Sequence, residues 1–79
     1  MKIPRDIKGD ELVKALKRLG FVVSRQTGSH IRMSIKTNDM NFHITIPNHS
    51  PIKLGTLNAI LNEVSTNINI NKQEIIDLL

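Results

Sequence analysis

The hydrophobic pattern predicts a small α+β domain in the order α-β-β-β-α, closed by a short C-terminal helix. Three observations carry this. Apolar residues recur at helical spacing over 10–19, alternate through residues 31–46, and return to helical spacing from residue 53. Gly20 and Pro47 stand where the period changes. The alternating runs Ile31-Met33-Ile35 and Phe42-Ile44-Ile46 answer one another across one polar connection. A three-stranded antiparallel sheet with both main helices on one face, the apolar one, buries most of these side chains.

Each element has its own warrant. From Asp10 to Leu19, Leu12, Val13, Leu16 and Leu19 line one face while Lys14, Lys17 and Arg18 face out, and Gly20 stops the helix. Phe21 to Arg25 reads as a short strand in which either Phe21 or Val22 points inward. A hairpin centred on Asn38-Asp39 then pairs Ile35 with Phe42, Met33 with Ile44 and Ile31 with Ile46, and sets Arg32 opposite Thr45 and Ser34 opposite His43. A shift of one residue would oppose apolar and polar side chains on both faces. Pro47 ends the third strand because it cannot donate to a ladder. A second helix from Lys53 to Val64 buries Leu54, Leu57, Ile60, Leu61 and Val64. Residues 66–70 alternate and allow a loop or a short strand, the loop being preferred, and Asn71 with Glu74 forms a capping pair that opens a helix over Ile75–Leu79.

Composition bounds the function. Seventy-nine residues make one domain, and the absence of cysteine removes disulfides and thiolate zinc sites and fits a reducing cytoplasm. Neither a signal peptide nor a membrane-spanning segment is legible, so the chain is expected to be soluble. The net charge is +4, from 11 Lys and Arg against 7 Asp and Glu, which favours a polyanionic partner. Phe21 and Phe42 are the only aromatics, too few for base-stacking platforms, so nucleic-acid contact would rest on phosphate and shape.

His30 is the residue to explain. The turn Thr27-Gly28-Ser29 delivers it into Ile31-Arg32-Met33-Ser34-Ile35-Lys36, where alternation puts His30, Arg32, Ser34 and Lys36 on one polar face. The register sets His30 opposite Pro47. His43, opposite Ser34, then lies roughly 13 Å away at strand rise. His49 is two residues past Pro47, at the same end as His30 and on its face if the extended backbone continues. No carboxylate cluster, zinc spacing or glycine-rich phosphate loop is present, so no metal or cofactor is expected. Metal-free RNA cleavage remains open, since the 2′-hydroxyl supplies the nucleophile and imidazole moves protons near neutral pH. The residues alone equally allow His30 to be an ordinary surface histidine, Gly28-Ser29 plain turn chemistry, and Gly55-Thr56 a packing or capping device.

Three segments form a pattern in combination: Thr27-Gly28-Ser29-His30, Ile46-Pro47-Asn48-His49, and Lys53-Leu54-Gly55-Thr56-Leu57-Asn58-Ala59-Ile60-Leu61. Together they resemble the HicA toxin family over roughly Lys8 to Leu79. The resemblance implies a double-stranded-RNA-binding-domain-like fold and an mRNA interferase, held inactive by a cognate HicB antitoxin that covers the active face. It puts the catalytic histidine at His30; the placement of Gly28, Ser29, Arg32, Lys36 and His49 around that residue makes them the candidate RNA contacts. No direct DNA binding is expected without the antitoxin. Lys8-Gly9 stands where many members carry Ser or Thr before Gly, which leaves Asp10 to cap the first helix. Ile31 replaces a second histidine, and residues 66–71 are unusually rich in Asn and Ile. Two other classes stay open: a non-catalytic double-stranded-RNA-binding module on the same face, and a protein-interaction domain without RNA affinity.

Overall fold

The first helix, α1 (Gly9–Arg18), forms because Leu12, Val13, Ala15 and Leu16 give it one continuous buried stripe. Its start differs from expectation. Lys8 is the N-cap, with extended backbone at φ −82° and ψ 154°, and its amide donates to Glu11 Oε1 at 3.1 Å. Asp10 is already helical and therefore cannot cap; its charge instead favours the positive end of the helix dipole. The helix ends as expected, with Gly20 at φ +110° immediately after the Leu19 cap. The structure, a computed structural model, describes residues 2–38 and 40–79.

Three antiparallel strands follow in sheet order: β1 (Val22–Thr27), β2 (His30–Lys36) and β3 (Asn41–Pro47). Phe21 points inward. It is buried and meets Phe42 edge to face, with ring centroids 6.0 Å apart, while Val22 is exposed. β1 runs two residues beyond the expected Arg25, to Thr27, and the connection to β2 is only Gly28-Ser29. Gly28 has φ +57° and Ser29 does not share the left-handed region, the pattern of a two-residue hairpin turn with glycine first. Between β2 and β3 every expected pair is present: Ile31 with Ile46, Arg32 with Thr45, Met33 with Ile44, Ser34 with His43 and Ile35 with Phe42. Alternation alone set that register, since any slip would have moved a whole apolar row to the other face. Asp39, half of the expected hairpin centre, lies outside the described residues.

The helix α2 (Leu54–Asn67) outruns its expected end at Val64 by three residues. Leu57, Ile60, Leu61 and Val64 are buried as expected, but Leu54 is 42 % exposed. Leu54 is the first residue of the helix, three positions before the first buried one, Leu57. The segment read as a loop is partly the end of this helix. Ile68 caps it, Asn69 takes φ +54°, and the Ile70 amide returns to the Ser65 carbonyl at 3.1 Å, a left-handed stop with asparagine in the glycine position. Asn71 caps α3 (Lys72–Ile76), its side chain accepting from the Gln73 amide at 2.8 Å. The helix begins directly behind that cap, three residues before the expected Ile75, and Asp77 and Leu78 continue as a turn.

One core joins these parts. Ile31, Met33, Phe42, Ile44 and Ile46 from the sheet pack with Leu12 and Leu16 of α1, Leu57, Leu61 and Val64 of α2, and Ile75 of α3. All helices therefore lie over one face of the sheet. The other face is open.

Candidate functional site

The register arranges the open face in rows. Thr27, His30 and Pro47 form the row at one end; Arg25, Arg32 and Thr45 form the next; Val22, Ser34 and His43 the third; Lys36 and Asn41 the last. Ser34 and Pro47 are half-buried and the others are exposed. None of the three strands contains an aspartate or glutamate, whereas they contain Arg25, His30, Arg32, Lys36 and His43. Strands with cations and no acids favour the approach of anions.

His30 is the first residue of β2 and is fixed from both neighbouring strands. Thr27 pairs with it across the Gly28-Ser29 turn, and Pro47 pairs with it on the other side. The Asn48 amide donates to the Ser29 carbonyl at 2.6 Å, which extends the β2–β3 pairing one step into the turn. Behind this, the Gly9 amide donates to the His49 carbonyl at 3.0 Å, so α1 holds the segment that holds the turn. A Cβ on Gly9 would come within 2.8 Å of both Asn48 Cα and the Pro47 carbonyl oxygen, so only glycine allows this approach. At Gly28 the requirement is different: a Cβ would meet nothing within 4 Å, and only the positive φ calls for glycine.

The expected site residues divide by distance from His30. Gly28 and Ser29 form its turn, and Arg32 occupies the adjoining row. His49 lies past the end of β3 at the same end, exposed, where it lines an open pocket with Pro47, Ile52, Lys53 and Thr56. Lys36 shares the face but stands at the far end of β2, roughly 20 Å away at strand rise, so it does not join His30. His43 is two rows off, as the register requires.

One residue was not foreseen. Strict alternation from Val23 puts Arg25 on the core side of β1. Instead the pairing shifts between Val23, opposite Met33, and Arg25, opposite Arg32, with Ser24 as the extra residue. The Ser24 hydroxyl donates to the Arg32 carbonyl at 3.2 Å, which ties the bulge to β2. The bulge returns Arg25 to the open face directly across from Arg32. The sequence offers no cue for it beyond the serine.

Among the described residues, no group of three or more His, Asp or Glu side chains could hold a metal ion. Among the same residues, no helix is long and apolar enough to cross a membrane. Among curated proteins and among solved structures, none matches the chain at a level that marks a relative. The family model for the HicA toxin of bacterial toxin-antitoxin systems matches residues 9–65, a span that takes in α1, the whole sheet and most of α2. With that match covering most of its length, the chain belongs to the HicA toxin family.

Proposed function

We propose that the protein is an mRNA interferase: a metal-independent endoribonuclease that binds mRNA across the open face of the sheet and blocks translation in the cytoplasm. The observation that carries this reading is His30, exposed at a backbone position held from both sides, one row from Arg32 in a sheet whose strands contain no acidic residue. Such a site suits attack by the ribose 2′-hydroxyl on the adjacent phosphorus. The O2′–P bond forms and the P–O5′ bond breaks; the 2′-hydroxyl loses a proton and O5′ gains one. A single imidazole starts the step in one protonation state, so His30 serves one of these transfers and solvent serves the other. Arg32 neutralises charge on the phosphate next to the scissile one, Gly28 and Ser29 shape the turn at the scissile group, and His49 borders the same end. Lys36 contacts the RNA further along.

The cognate partner in this reading is a HicB-like antitoxin covering the same face, so antitoxin binding and RNA cleavage exclude each other. The test is incubation of the purified protein with a long mRNA in excess chelator. Continued cleavage supports the reading. Binding without cleavage would favour a non-catalytic RNA-binding module on this face, and cleavage that stops with chelator would remove the metal-independent mechanism.

A further inference from the structure

The Ser24 bulge sets Arg25 and Arg32 opposite one another across the strands. Arg25 and Arg32 are direct cross-strand partners, both exposed, and their Cβ atoms are therefore about 5 Å apart. Like charges in this position work against the fold. No aspartate or glutamate lies in any strand to separate them. An arrangement that costs stability in the empty protein is relieved when an anion sits between the two forks, and phosphate oxygens match that geometry. The spacing along β2 adds a register. Arg32 is two residues from His30, roughly 7 Å at strand rise, which is about the separation of consecutive phosphates along a nucleic-acid strand.

We propose that Arg25 and Arg32 form a two-guanidinium clamp for one RNA phosphate, one nucleotide along from the phosphate at His30. The RNA strand then runs lengthwise along β2, and the bulge exists to turn Arg25 toward it. This rests on the reading of the open face as an RNA site. Arg25 acts as a positioning residue: it holds the chain so that the next phosphate reaches His30.

The test uses the full chain with His30→Ala, to prevent cleavage, and a fluorescein-labelled oligouridylate titrated at several salt concentrations. Adding Arg25→Gln lowers affinity about tenfold at low salt. It also makes the slope of log K against log salt shallower by about 0.7, the loss of one phosphate contact on a single strand. Lys14→Gln, which removes the same charge from the outer face of α1, leaves the slope unchanged. Arg25→Lys keeps the slope and loses affinity, because it retains charge but not the fork. Without RNA, Arg25→Gln melts at or above the temperature of its parent.

An Arg25→Gln slope equal to that of Lys14→Gln overturns the clamp, as does a lower melting temperature, which would make Arg25 a structural residue. Cleavage by the otherwise wild-type protein, measured separately, distinguishes the two readings. If it cleaves RNA while the slope ignores Arg25, the clamp alone fails. If no variant binds oligouridylate at low salt, the clamp and the RNA site fail together.

Discussion

Replacing Gly9 by alanine sets local preference against packing, and the structure decides which wins. Gly9 is the first residue of α1 and has no left-handed φ, so helix propensity alone favours alanine by about 0.5–1 kcal/mol. The added Cβ, however, would stand 2.8 Å from Asn48 Cα, 2.8 Å from the Pro47 carbonyl oxygen and 2.9 Å from Asn48 Oδ1. Carbon contacts are comfortable only from about 3.5 Å outward. Two of these neighbours are backbone, and that backbone is bonded to Ser29 on one side and to Gly9 itself on the other. Relief requires moving the end of β3 or the start of α1, at an overpacking cost of about 1–3 kcal/mol. The Gly9–His49 hydrogen bond weakens as well, at about 1 kcal/mol if lost. The net expectation for Gly9→Ala is a destabilisation of about 1–3 kcal/mol. In a domain of this size each kcal/mol lowers Tm by about 4–8 °C. Gly55→Ala is the matched control: it lies in the first turn of α2, and a Cβ there meets nothing within 4 Å, so it gains up to about 1 kcal/mol. Thermal and urea unfolding followed by circular dichroism measure both. A Gly9→Ala protein as stable as wild type, or two glycine variants shifting in the same direction, would refute the packing argument.

Three further outcomes follow from the geometry. Arg32→Gln slows RNA cleavage about tenfold or more by removing a charge-assisted phosphate contact, whereas His43→Ala, two rows from His30, leaves the cleavage rate within twofold or so of wild type (a surface change away from the site); equal losses in the two would discredit the row assignment. A substrate with a single 2′-deoxynucleotide at the cleavage position is bound but not cut, because the nucleophile is missing; cleavage of that substrate, read on a sequencing gel, would require a water nucleophile instead. Asn71→Ala costs about 1 kcal/mol through loss of the bond to the Gln73 amide, and hydrogen exchange should register it as faster exchange in α3 with little change in the strands.

Legibility in the sequence tracked how many independent constraints each element obeyed. The β2–β3 pairing was readable to the residue because both strands alternate cleanly and only one register joins all the apolar partners. β1 was not. Three apolar residues in succession, Phe21-Val22-Val23, leave its phase open, and the bulge at Ser24 then changes that phase midway, so the face taken by Arg25 follows no alternation rule. The end of α2 misled for a different reason. Thr66 to Ile70 alternates polar and apolar residues and is rich in asparagine, a weak helix former, yet Val64 anchors the preceding turn in the core and Asn69 supplies the left-handed stop. Helical spacing puts Leu54 in the buried stripe, yet it is exposed, because spacing says which residues share a face but not how far along the helix that face is covered. Of the candidate site, the grouping of His30 with its turn and Arg32, and the distance of Lys36 along the same strand, follow from local sequence, while the place of Arg25 depends on the shifted pairing of β1 with β2.

The central claim is that His30 carries a proton in the cleavage step rather than helping RNA to bind. The direct measurement is the single-turnover rate of RNA cleavage by His30→Ala in excess chelator, beside its affinity for an uncleavable 2′-deoxy-substituted RNA and its Tm. The account predicts a rate lower by about 10²–10⁴-fold, with affinity and Tm close to those of wild type, since His30 is exposed. An undiminished rate would contradict it, and so would a loss of rate fully matched by a loss of affinity.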